Sequence, residues 1–183
     1  MDLTGYRANT VLSDRQMIHT LPRPQNIIVG TFLFLLAAVC AAAPIPLLYR
    51  SLGIVICTYL AFSAGGMPFA YLTALLAPPI GLINGDQSWL VMLPIIMSSL
   101  LLAVLALEYA WRYPALILSP LLFAVPQFIA MRLSRNELFA VALPWEPAQS
   151  WVGIHALTAL GGVLIAIYLD RVRARAAPKD DDE

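Results

Sequence analysis

Seven residues combine side chains that recognise a solute with positions that bring them near one another: Asn84, Asp86, Trp89, Gln127, Arg132, Trp151 and His155. Amide, carboxylate, guanidinium and imidazole groups set among indole rings are the usual make-up of a small-molecule site. In such a site apolar walls hold the ligand and a few polar groups orient it. Catalytic chemistry has less to work with. The two histidines, His19 and His155, are not at the helical spacing of a zinc motif, and neither a serine elbow nor a glycine-rich phosphate loop is present. Asp86, Glu108 and Asp170 all stand at the ends of apolar stretches, so no intramembrane carboxylate pair forms. Cys40 and Cys57 read as small apolar residues, not as a disulfide framework or a redox pair. The expectation is a binding protein without catalytic residues, metal or cofactor.

The elements that position these groups follow from composition. Of 183 residues, 60% are hydrophobic and 12% charged, against about 45–50% and about 25% in an ordinary soluble domain. So little charge cannot cover a soluble surface, and lipid must be the solvent. Formal net charge is zero, which leaves nucleic acid without an electrostatic footprint. Residues 24–49, 51–85, 87–107, 113–131 and 147–169 hold no Asp, Glu, Lys or Arg. A spanning helix needs about 20 apolar residues, so four of these stretches fit one span each. The 35-residue stretch 51–85 is interrupted by Gly65-Gly66, Pro68 and Pro78-Pro79, and fits two elements better than one.

The prediction is therefore an all-α membrane bundle of six spans, near 26–43, 47–64, 67–84, 89–108, 114–132 and 151–170. A polar leader (1–25) precedes it and a charged tail (171–183) follows. Residues 47–84 would form either two full spans or a re-entrant hairpin. Ala41-Ala42-Ala43 resembles a signal-peptidase site. The long leader, Pro44 and the later spans argue against cleavage there. Lys and Arg are retained on the cytoplasmic side. With both termini inside, that side carries Arg7, Arg15, Arg23, Arg112, Arg171, Arg173, Arg175 and Lys179, and the outer side only Arg50, Arg132 and Arg135.

In this topology the seven candidate residues gather near the outer face. His155 lies about 6 Å deeper than Trp151 and Gln127 about 7.5 Å deeper than Arg132, at helical rise. The connector Glu137 to Gln149, with Trp145 and Glu146 between prolines, would lie over them as a lid. Plainer roles stand beside these. The tryptophans suit an interfacial belt, His155 a hydrogen bond to a neighbouring helix, and Arg132 and Arg135 lipid phosphate or snorkelling. Ala37 and Ala41, one turn apart, give a smooth face either for packing inside the bundle or for docking another membrane protein.

The alanine stripe followed by Ala43-Pro44-Ile45-Pro46-Leu47, and the run Ala77-Pro78-Pro79-Ile80-Gly81-Leu82-Ile83-Asn84-Gly85-Asp86, resemble the substrate-binding S components of energy-coupling-factor (ECF) vitamin transporters. That resemblance covers the first half of the chain. It implies a micronutrient-binding subunit of the bacterial cytoplasmic membrane, docked through Ala37 and Ala41 on other integral membrane subunits. A different class also fits six spans: a non-enzymatic scaffold similar to MreD of the cell-shape machinery, although the usual Asp and Pro-Leu-Gly pattern of that protein is not clearly present.

Overall fold

The computed structural model describes residues 24–111, 113–135 and 148–176. They form helices α1 (Pro24–Ala42), α2 (Leu47–Gly65), α3 (Met67–Ile80) with a 3-10 turn at Gly81–Asn84, α4 (Gln87–Tyr109), α5 (Tyr113–Arg135) and α6 (Ala148–Ala176). Six helical segments are long and apolar enough to cross a bilayer, Leu47–Gly65 and Met67–Asn84 among them as separate spans. At helical rise the 23 residues of α4 reach about 34 Å, against a hydrocarbon core of about 30 Å. The segment Glu137 to Gln149 falls mostly on residues 136–147, outside those described, as do the leader through residue 23 and the tail from 177.

The breaks between helices have local causes. Gly66 sits at φ 83° between α2 and α3, in the left-handed region that only glycine enters without strain. This one-residue joint divides the long charge-free stretch in two. Pro78 and Pro79 lie inside α3 and lack the N–H groups a regular ladder needs. The chain then tightens into the 3-10 turn and leaves it through Gly85, also left-handed at φ 64°.

Helix α2 is the centre of the bundle, packed against α1, α3, α4 and α6, while α5 bridges α4 and α6. Close approach rests on small residues. A Cβ built at Gly162 would come within 2.5 Å of the Tyr59 ring, and one at Gly30 within 2.5 Å of Phe69, so each glycine admits an aromatic ring against a helix backbone. The Tyr59 hydroxyl lies 2.7 Å from Ser119 Oγ, and Ser119 donates to Ala103 O at 3.1 Å, a polar thread from α2 through α5 to α4. Toward the ends opposite Arg50, Tyr71 donates to the Glu108 carboxylate and Phe62 meets Trp111 edge-on at 4.7 Å.

Outward faces are apolar. Ile28, Phe32 and Val39 on α1, Ile117 on α5 and Leu157 on α6 are all exposed, the arrangement that lipid demands and water penalises. Ala37 and Ala41 are not on such a face. Both are 0% exposed; Ala37 packs with Cys57 of α2 and Ala77 of α3. The expected docking face is thus occupied by the chain itself, because small side chains in lipid bring neighbouring helices together wherever they point.

Candidate functional site

The first turn of α2 places two polar residues side by side that face different neighbours. Arg50 is buried, 3% exposed. Its Nε donates to Ala41 O at 2.8 Å, Nη1 to Asp86 Oδ2 at 2.7 Å and Nη2 to Gly81 O at 3.2 Å. The guanidinium carbon stands 4.2 Å over the Trp89 ring. One side chain therefore ties α1, the 3-10 turn and α4 together, with its charge met by a carboxylate, two carbonyls and a π face. The Ala41 carbonyl is one of the orphan acceptors at a helix C-terminus.

Asp86 holds the other end of this clasp. It N-caps α4, its Oδ1 accepting from Ser88 N at 2.9 Å and Trp89 N at 3.3 Å, which leaves Oδ2 for Arg50. Trp89 is fully buried and donates Nε1–H to Pro78 O at 2.9 Å. Asn84, exposed, donates to Ala42 O at 2.5 Å. Asn84, Asp86 and Trp89 are thus brought together, with these groups engaged by the protein itself.

Ser51 faces the opposite way, toward α6. His155 is 0% exposed, with Nε2 2.8 Å from Ser51 Oγ and Nδ1 2.9 Å from Trp151 O. A carbonyl can only accept, so Nδ1 carries a proton and donates to Trp151 O, while Nε2 pairs with the Ser51 hydroxyl. Ser51 Oγ also donates back into its own helix, to Leu48 O at 2.8 Å and Leu47 O at 3.1 Å. The Trp151 ring stacks on the imidazole at 4.6 Å and the Phe123 ring at 6.0 Å, so α5 and α6 meet through aromatic faces.

Gln127 lies one turn beyond Phe123 on the same face of α5 by helical spacing. It is 1% exposed, and neither its Oε1 nor its Nε2 has a partner among the described residues. Arg132 departs from the group: it is exposed, with its guanidinium 5.1 Å over Phe128. The structure therefore resolves the seven residues into a clasp (Asn84, Asp86, Trp89), an aromatic and imidazole cluster (Trp151, His155) with Gln127 a turn from its Phe123 contact, and Arg132 apart on the outside.

Arg50, Ser51 and Phe123 are the members that sequence reasoning missed. A signal for the first existed: Arg50 and Asp86 are of opposite charge, alone between residues 24 and 107, and assigned to the same rim. Ser51 gave none.

By fold this is a multi-pass helical membrane protein. No family model, curated protein or solved structure matches the chain.

Proposed function

We propose that this protein is the membrane-embedded substrate-binding subunit of a micronutrient uptake transporter, taking a small solute from the outer side of a bacterial cytoplasmic membrane. It is not an enzyme in this reading. The observation that carries it is Gln127, a buried primary amide with both valences open among the described residues. A buried polar group left unpaired costs about 1–3 kcal/mol and is retained where something else satisfies it. An amide offers an acceptor and a donor side by side, so its complement is a solute carrying a donor next to an acceptor: an amide, a ureide or a ring lactam. Phe123, one turn from Gln127 by helical spacing, and Trp151 both stack on His155, and the ring of such a solute would enter where these aromatic faces part.

The Arg50 clasp pins the α1 to α4 side of the same end and the Ser51–His155 contact fastens α6 to α2, which leaves the end of α5 as the element that moves to admit a ligand. Both termini lie in the cytoplasm, on the distribution of basic residues. Arg132, on the outside with Phe128, meets lipid phosphate at the outer rim. Ala37 and Ala41 being covered, docking on other membrane subunits uses lipid-facing surface elsewhere.

A thermal-shift panel of vitamins and vitamin precursors on the detergent-solubilised protein tests this. A ligand at a hundredfold excess over its Kd stabilises the folded state by about 2.7 kcal/mol, and one panel member should do so. A flat response across the panel, with stoichiometric recovery of a cell-shape protein from native membranes, would instead support the scaffold reading.

A further inference from the structure

Helix α5 carries two prolines, Pro120 and Pro126, inside its length, and they divide it into a held base and an arm. The base is tied by Ser119, whose Oγ lies 2.7 Å from the Tyr59 hydroxyl of α2 and donates to Ala103 O of α4 at 3.1 Å. The arm begins at Gln127, which has no partner among the described residues, and its Arg132 lies over Phe128 of the same helix. Pro126 follows Ser119 by seven residues, about two turns, so it stands on the same face, toward α4. It has no N–H for the Leu122 carbonyl. A bend of the arm away from α4 therefore breaks no hydrogen bond at that step, and it turns the Leu122 carbonyl toward α4.

What stands opposite on α4 is Ser99, 0% exposed, with an Oγ that has no partner among the described residues. Hydroxyls in membrane helices commonly bond the carbonyl one turn back, as Thr58 does to Ile54 O and Thr73 to Phe69 O, both at 2.8 Å, and as the adjacent Ser98 does to Pro94 O at 2.7 Å. Ser99 does not. Glu108, about two and a half turns further along α4, meets Tyr71 of α3, which turns Ser99 away from α3 and toward α5. Counted from the Ser119–Ala103 bond at helical rise, Leu122 lies about 4.5 Å and Ser99 about 6 Å nearer the Arg50 end, so the hydroxyl and the donorless carbonyl share a level. We propose that α5 is a gate hinged at Pro126, and that Ser99 latches it open by donating to Leu122 O once the arm swings away from α4 and carries Gln127 with it. Ser99 is then a positioning residue, and what the gate admits rests on the binding function proposed for Gln127.

Spin-label distances on the full chain in lipid nanodiscs, with no ligand added and with Cys40→Ala and Cys57→Ala as background, test this. One label pair joins Leu90 of α4 to Ile129 on the arm, the other Leu90 to Leu121 below the hinge; all three side chains are exposed. The arm pair should show two distances and the base pair one. Ser99→Ala should lower the longer-distance population of the arm pair about fivefold, the worth of one hydrogen bond, and Pro126→Ala, which supplies an N–H for Leu122 O, should remove it. Neither substitution should move the base pair. A single arm distance in the parent protein, populations unaffected by both substitutions, or arm and base pairs shifting together would overturn the proposal. The vitamin panel succeeds or fails separately: a flat panel with two arm distances removes the solute and keeps the gate, and a panel hit with one arm distance does the reverse.

Discussion

Ser51 Oγ and His155 Nε2 lie 2.8 Å apart, joining the second residue of a clasped pair on α2 to the aromatic cluster on α6. Arg50, its neighbour in sequence, meanwhile holds α1, the 3-10 turn and α4. Two consecutive residues thus fasten opposite sides of the bundle to its central helix. Helices in lipid gain little from apolar exclusion, so hydrogen bonds and close packing carry their association.

The Ser51 contact is testable by a double-mutant cycle. Ser51→Ala leaves a buried imidazole nitrogen unpaired and should destabilise the protein by about 1–2 kcal/mol. His155→Phe alone should cost a similar amount, and the double variant less than the two together, with a coupling of at least about 0.5 kcal/mol. Unfolding midpoints in detergent give all three numbers, and strict additivity would show that the two side chains do not interact.

The clasp should respond more strongly. Removing one member of a buried, hydrogen-bonded ion pair costs about 3–5 kcal/mol. Arg50→Ala should approach that range, and Asp86→Asn, whose carboxylate is 35% exposed, should fall below it. Arg50→Lys should not restore stability, because an ammonium cannot span Ala41, Gly81 and Asp86 from the position of a planar fork. Circular-dichroism melts of the three variants decide this, and a lysine variant as stable as the natural protein would contradict the geometry.

Close packing makes its own prediction at Gly162. A methyl there meets the Tyr59 ring within 2.5 Å, and overpacking of this kind costs about 1–3 kcal/mol. Gly162→Ala should lower the melting midpoint, while Gly161→Ala, with nothing within 4 Å of the added carbon, should leave it unchanged or slightly raised. Equal effects at the two positions would mean that α2 and α6 do not pack as described.

The spans themselves were legible because charge is so scarce: the stretches 26–43, 47–64 and 67–84 lie within a few residues of Pro24–Ala42, Leu47–Gly65 and Met67–Asn84. Punctuation was readable too, since Gly66 and Pro78-Pro79 act through local backbone chemistry. What sequence could not supply was the direction each helix faces. In water the polar side of a helix marks its outside, but in lipid both sides are apolar. Ala37 and Ala41 therefore read equally well as an inner or an outer stripe. For the same reason Ser51 gave no sign of reaching His155, 104 positions away. Arg50 counted only as a topological charge, although Asp86 on the same rim was its evident counter-ion.

Gln127→Leu separates binding from stability. Replacing a buried amide that has no partner among the described residues with an alkyl group of similar size should raise the apo melting midpoint, by about 1–2 kcal/mol of stabilisation, yet abolish any ligand-induced shift. A drop in apo stability would show that residues outside those described satisfy the amide.

Native mass spectrometry of the protein, released gently from its own membrane, reads the central claim most directly. The natural chain should carry one small molecule with adjacent hydrogen-bond donor and acceptor groups at near-stoichiometric occupancy, and the Gln127→Leu protein should arrive without it. A natural chain free of any such adduct, or a Gln127→Leu chain carrying the same one, would contradict the account.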